Sequence, residues 1–395
     1  MSVLTLTLTN STFMTNKDYL FLILKCALGY DDISKHDITL NDETLAYLYN
    51  AARIHSLFPI ISKVLLESNL LRPDSDYYQP FRKQMLKYVC RRENFDYVLG
   101  IIGKAFDESR IPFMPLKGSV LKELYPESWM RTGTDIDILV KKQDLEKASS
   151  VLSDELGFKF VSKSAHDVVY VTESKVKVEL HFSLNEPGYR EFDPLKDIWS
   201  VSSTVDGSYL YKMSDEYFLC YHIAHMAKHF VCGGCGIRYI IDLRLILDKL
   251  NLGQALVEKL ITDCSLNSFY HYAKELCDVI FLNKSYNDVT LALEDFILSG
   301  GVFGNLRNRS ALGQAKKGSG FKYAMSRIFL PFNQMSNYYP VLKCHKWLLP
   351  FYHIKRWLHI IFGGGFERSK KELDFTAVSD TKASFAKVLV DNIEL

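Results

Sequence analysis

The chain has 395 residues, 48% of them hydrophobic and 13% aromatic, with a formal net charge of only +2, so it can bury sizeable cores in two or three domains. This ordinary globular composition sets aside the disordered and fibrous classes. Eight cysteines without framework spacing fit buried thiols in a reducing compartment better than disulfides.

The opening Met1 to Asn10 has no cationic lead and alternates instead of forming an apolar block, so it does not read as a signal peptide. No apolar run reaches the ~18 residues of a membrane span. The best candidate, Trp347 to Phe362, is interrupted by His353, Lys355, Arg356 and His359. A soluble, cytoplasmic protein is the expectation. From Asn16 to Asp107 the apolar spacing is helical, as at Leu45, Leu48, Tyr49 and Ala52, and the run from Tyr77 to Phe106 carries its charges on one face. An N-terminal helical lobe, residues 1–107, is predicted, its last helix leading into a sheet.

Between Ile111 and Pro126 a short apolar run ends at Gly118-Ser119 and gives way to helical spacing at Val120, Leu121 and Leu124, the pattern of a strand-to-helix turn. Helix starts carry free N–H groups and partial positive charge, which suit phosphate. Glycine permits close backbone approach there, and a serine can cap the helix. Next, Arg131-Thr-Gly-Thr-Asp135-Ile-Asp137-Ile-Leu-Val140 sets two carboxylates in an apolar, β-branched run. In a strand, Asp135 and Asp137 share a face while Ile136, Ile138 and Val140 turn to the core. Paired like charges on a half-buried strand repel, and a hard divalent cation such as Mg²⁺ makes such a pair tolerable. Asp144 to Leu156 has amphipathic helical spacing, and Val168 to Phe182 reads as two strands around a turn at Glu173 to Lys175. Val176, Val178, Leu180 and Phe182 lie on one face of the second strand and Lys177, Glu179 and His181 on the other, which makes Glu179 a candidate third carboxylate. Residues 108–200 therefore form the predicted catalytic core.

After Ser214 the pattern is helical again, at Asp215 to His229, Ile237 to Leu250, Leu252 to Ser265 and Ser268 to Asn283. His222, His225 and His229 share a helix face ahead of Cys232-Gly-Gly-Cys235, so a zinc site is conceivable, although no second cysteine pair accompanies them. Basic residues dominate the end of the chain, from Arg307 through Lys355 and Arg356 to Arg368, Lys370 and Lys371, with Trp347, Phe351, Tyr352 and Trp357 among them. Such a tail suits nucleotide phosphates, RNA or an anionic membrane surface, or is a solvated face. Residues 201–395 are the predicted C-terminal helical lobe.

Taken in order, Gly118-Ser119, Asp135-Ile-Asp137 and an acidic residue on a later strand resemble the DNA polymerase beta superfamily of nucleotidyltransferases. More narrowly, Leu116-Lys117-Gly118, Leu124-Tyr125-Pro126, Arg131 ahead of the aspartates, Leu156-Gly157-Phe158 and Val178-Glu179-Leu180-His181 look like the bacterial uncharacterised nucleotidyltransferase family. The likeness takes in His225 to His229 and Arg238 to Asp242 and spans about residues 50 to 360. One departure is an insert between Ser119 and Asp135 that is longer than usual across the wider superfamily.

The resemblance implies an α+β fold, a polymerase beta-like sheet core flanked by helical lobes. It also implies transfer of a nucleoside monophosphate from an NTP, with ATP the default, to a hydroxyl or phosphate acceptor. Asp135, Asp137 and Glu179 would hold Mg²⁺ or Mn²⁺, with two metals roughly 3.5 to 4 Å apart, and Glu179 is also a candidate general base. Gly118 and Ser119 would hold the β and γ phosphates, Arg131 or Lys117 would neutralise the leaving pyrophosphate, and His181, His225 and His229 would line the nucleotide or acceptor cleft.

Blander assignments stand beside these. A lone Asp-x-Asp is usually a solvated pair, Arg131 could pair with Asp135 or a turn carbonyl, and His181 could simply bond a neighbouring strand. The competing functions are a nucleotide-binding protein without turnover and an accessory protein that binds nucleic acid or a membrane surface. The acceptor, whether small molecule, sugar, protein or RNA, is not legible in the chain.

Overall fold

Along one strand the apolar Ile136, Ile138 and Val140 alternate with Asp135, Asp137 and Leu139, and this alternation organises the sheet around it. The computed structural model describes residues 14–185, 190–363 and 380–395. The opening Met1 to Asn10 and the basic residues Arg368, Lys370 and Lys371 lie outside the described residues. The chain divides into two compact units, one ending at Tyr88 and the other beginning at Val89.

The first unit is helical: α1 (Asn16–Leu28), α2 (Asp42–His55), α3 (Phe58–Glu67) and the first part of α4 (Tyr78–Glu108). Helix α1 starts at Thr15, whose hydroxyl accepts from Asp18 N while the Asp18 carboxylate accepts from Thr15 N, and it ends at Gly29 with φ +82°. Leu45, Leu48 and Ala52 are buried as their spacing predicts, and the Tyr49 ring packs edge-on against Phe58 and Phe81.

The second unit contains the sheet. Strands β1 (Phe113–Pro115), β2 (Asp135–Val140), β3 (Lys159–Lys163), β4 (Asp167–Val171) and β5 (Lys177–His181) are ordered β1-β2-β5-β4-β3. Only β2 and β5 run parallel. A parallel neighbour needs a crossover, here α6 (Leu145–Ser150), a wider-coiled turn at Val151–Glu155, and the β3–β4 hairpin. Between them α6 and that turn occupy the predicted amphipathic segment. They press Leu145, Ala148, Val151 and Leu152 onto one face of the sheet beside Phe95, Val98, Ile102 and Phe106 of α4. Against these lie Ile136, Ile138, Val140, Val178 and Leu180, each fully buried. Burying each such side chain stabilises by roughly 1.5–3 kcal/mol.

Strand β3 has no signature in the sequence because all of its residues are exposed at the sheet edge and a bulge at Phe160–Ser162 breaks its alternation. A short ribbon, β6 (Ser202–Thr204) with β7 (Tyr211–Met213), leads into α7 (Asp215–Val231), α8 (Ile237–Lys249), α9 (Gln254–Asp263) and α10 (Asn267–Leu282). These last four match the predicted helices to within two residues at each end. Beyond them, where the sequence shows chiefly a basic tail, the chain continues as α11 (Asp288–Gly300), α12 (Leu306–Lys317), α13 (Gly320–Ile328), α14 (Phe332–Tyr338), α15 (Leu349–Phe362) and a C-terminal helix, Asp380–Asn392. Lys382 of that last helix anchors to Asp295 at 2.7 Å. The protein is thus α+β, a small mixed sheet flanked by helices. No helix of the described residues is long and apolar enough to cross a membrane.

Ile138→Ala should cost about 2–5 kcal/mol in urea denaturation, because the sheet core cannot refill the space. Phe160→Ser on the exposed edge should change stability by less than about 0.5 kcal/mol.

Candidate active site

The parallel register sets Asp137 directly opposite Glu179 and Asp135 opposite Lys177. Since Asp135 and Asp137 share a face, the three carboxylates lie together on the side of the sheet away from the α4 and α6 core. His181, two residues beyond Glu179, lies on that face as well. That side is covered too, for Asp137 is 4% exposed and His181 5%.

The backbone N–H of Leu116 donates to Asp137 O at 2.9 Å, which carries the chain after β1 alongside the aspartates. Lys117 then takes φ +48° and opens the single turn of α5 (Gly118–Leu121). The left-handed residue at this turn is the lysine, not the glycine, a strain of about 1–3 kcal/mol that surrounding contacts must hold in place. Its Nζ donates to Asp137 Oδ1 at 2.7 Å. His181 Nε2 donates to the same oxygen at 2.9 Å and lies 3.5 Å from Glu179 Oε2. Lys177 donates to Glu179 Oε1.

These contacts separate the acids electrostatically. Burial pushes Asp137 up, but Lys117 and His181 more than offset it and hold its carboxyl far below the usual carboxylate range. Asp135 is raised, by burial and then by the charges of Asp137 and Glu179. Glu179 is lowered, chiefly by its bond from His181. His181, for which burial favours the neutral form, is nonetheless raised by Asp137 and Glu179. Carboxylate oxygens are the donors that a hard divalent cation prefers, and the closest convergence here is of Asp137 and Glu179 with His181, a group that does not include Asp135. Among the described residues, ligand atoms of Asp137, Glu179 and His181 converge within 4.8 Å, as do those of His166, Asp167 and His181. Neither group contains a cysteine.

The remaining expected residues fall in two places. A cleft is lined by Lys117, His181, Arg190, Tyr221, His225 and Lys228, among others, and no carboxylate is part of its lining. His225 and His229 face each other with Nε2 atoms 3.3 Å apart, and His225 is held well below the usual histidine range by burial, then by Lys117 and His229. His222 instead lies 3.2 Å from Tyr239 O. Among the described residues no converging ligand group includes His222, His225, His229, Cys232 or Cys235, and burial pushes the Cys235 thiol up to about 12. The glycines before it serve backbone packing: a Cβ on Gly233 would meet Asn305 O at 2.4 Å.

Arg131 lies behind the turn, where a Cβ on Gly118 would sit 3.6 Å from its Nη1. Its Nε donates to Asp242 Oδ1 at 2.7 Å, and its Nη1 donates to Thr132 O, which also accepts from Arg238 Nη1 at 3.2 Å. Tyr125 donates to Asp242 as well, at 2.7 Å. Arginine therefore has a buried protein partner and helps pin the loop into β2. Asp242 carries no assigned role in the sequence reading, though a carboxylate within Ile240-Ile-Asp-Leu243 of an apolar helix is itself a sign of a buried charge pair.

Two stability outcomes follow. Asp242→Asn leaves Arg131 buried without its counter-charge and should cost about 3–5 kcal/mol in chemical denaturation. The acids should respond with opposite signs. Asp137 is depressed in the folded state, so its contribution is present above the unfolded value and is lost as pH falls; Asp137→Asn should lower Tm at neutral pH. Asp135 is raised, so its ionisation opposes folding at neutral pH, and without divalent ions Asp135→Asn should raise Tm.

Residues 41–281 match the family described as "Uncharacterised nucleotidyltransferase". No curated protein matches. Among solved structures the chain is similar to the solution structure of the antibiotic-resistance factor ANT(2'')-Ia, at 14% identity and a TM-score of 0.34, over 47% of this chain and 97% of that one. The family match extends over more than half of the chain and includes the β2–β5 pair, the Lys117–Ser119 turn and α7. The protein belongs to the uncharacterised nucleotidyltransferase family.

Proposed function

We propose that the protein transfers a nucleoside monophosphate from an NTP, with ATP the default, to a hydroxyl or phosphate acceptor. The observation that carries this reading is the register of β2 and β5, which stacks Asp135, Asp137 and Glu179 on one face beside the Lys117–Ser119 turn. Asp135, Asp137 and Glu179 are the residues that would hold Mg²⁺ or Mn²⁺, and their oxygen donors fit that class of ion. When bound, a divalent cation supplies charge neutralisation at the phosphates and sharpens the acceptor oxygen as a nucleophile.

The chain's own groups account for the rest. Glu179, kept ionised at neutral pH, takes the acceptor's proton as the acceptor oxygen bonds to the α-phosphorus. The bond from that phosphorus to its bridging oxygen breaks, and pyrophosphate leaves with the electron pair. Lys117, anchored on Asp137 before substrate arrives, can swing its ammonium onto the departing phosphates. His181 holds the carboxylates of Asp137 and Glu179 in place from a buried position. Gly118 and Ser119 offer the backbone and hydroxyl of the turn to the triphosphate. Arg131, being committed to Asp242, acts by fixing the turn and the loop into β2. The cationic cleft, with His225 and Lys228 on its wall and His229 behind His225, receives the anionic part of the substrates.

Incubation of the protein in a cell extract with each α-labelled NTP and Mg²⁺ or Mn²⁺ should label an acceptor and release pyrophosphate. Asp137→Ala should abolish labelling while circular dichroism stays unchanged. Lys117→Ala should lower the rate by about 10²–10³-fold, the usual effect of losing one charge-stabilising donor. Full labelling by the Asp137 variant would remove the assignment.

A further inference from the structure

Helix α15 is built inside out. Phe351, Ile354, Leu358 and Ile361 recur at helical spacing on one side, the stripe that a globular helix normally turns to its core. Here the opposite side faces inward: His353 is buried, Trp357 Nε1 donates to Ile328 O at 3.0 Å, and Arg356 donates to the carbonyls of Ile328 and Arg327. The apolar stripe is left to solvent, with Phe351 74%, Ile354 52%, Leu358 50% and Ile361 51% exposed. Phe362 at its end and Trp347 just before the helix are more exposed still, at 81% and 77%.

Helix α13, whose last carbonyls hold α15, repeats the pattern. Phe321, Met325 and Ile328 lie on one helical face and are exposed, and the Phe329 ring packs edge-on against Trp357 at 5.2 Å. Apolar residues grouped this way on a surface mark a docking face.

Charge selects the occupant. Between Asp295 and Glu367 the sequence contains no Asp or Glu, while residues 301–363 contain ten Lys and Arg. Lys322 and Arg327 belong to α13, Lys355 to α15, and Lys343 and Lys346 precede α15. A second copy of this face would press cation against cation. A nucleic acid would satisfy the cations and could stack on Trp347, Phe351 and Phe362, but it would leave the aliphatic Ile354, Leu358 and Ile361 uncovered. An anionic bilayer satisfies both features at once, with acyl chains taking the stripe, headgroups taking the ammonium and guanidinium groups, and Trp347 at the interfacial level.

We infer that the α13–α15 face seats the protein on an anionic lipid bilayer as a peripheral, non-spanning contact. This contact is independent of the nucleotidyl-transfer reading and needs none of its residues. The test is co-sedimentation of the full chain with vesicles of phosphatidylcholine alone and of phosphatidylcholine mixed equally with phosphatidylglycerol. Binding is expected to the mixed vesicles and not to the neutral ones, to weaken with added salt, and to fall by at least about tenfold in an Ile354→Asp, Leu358→Asp double variant. Both substitutions are at exposed positions, and an unchanged melting temperature confirms that the variant is folded. The inference is overturned by equal binding of variant and parent, by no binding to the mixed vesicles, by single-stranded RNA that binds irrespective of the stripe, or by a stripe-dependent dimer in sedimentation velocity.

Discussion

Parallel pairing of β2 with β5 is the constraint from which the active-site reading follows, because it puts Asp137 against Glu179 at one ladder position and brings Asp135 onto the same face. A one-residue slip would send the carboxylates into the α4 and α6 core and the isoleucines out of it. The core prevents this: Ile136, Ile138, Val178 and Leu180 have no other place in which to be fully buried. Hydrophobic packing on one face therefore enforces electrostatic crowding on the other.

That crowding is balanced by cations supplied from three places in the chain. Lys117 comes from a strained turn after β1, and Lys177 and His181 flank Glu179 on β5 itself. Asp137 is thereby paired with both the Lys117 ammonium and the His181 ring, and Lys117 also lines the cleft beside α7. Behind the turn, the buried Arg131, Tyr125 and Asp242, with the half-buried Arg238, form a polar cluster that joins α8 to the loop entering β2. The helical region thus contributes to the site both through the cleft wall and by holding the loop that delivers the aspartates.

Charge is segregated along the chain as well. The near-zero net value conceals a stretch between Asp295 and Glu367 that contains no Asp or Glu and includes α13 and α15, whose apolar stripes face outward.

Much of this was legible in one dimension. Alternation of period two marks β2 and β5, and the spacing of apolar residues marks α1 to α4 and α7 to α10, because each of these elements has one face that must be buried and so records its period in the sequence. β3 left no such record, since an exposed edge strand has nothing to bury. The sequence by itself determined which side chains lie on the face of Asp135 and Asp137, and that Glu179 and His181 share a strand face. Only the tertiary structure decided that those two strands are parallel neighbours, that Lys117 takes the left-handed turn and reaches Asp137, and that Arg131 is claimed by Asp242. Each of these depends on contacts between residues far apart in the chain, and periodicity, which reports a residue's burial, does not name its partner.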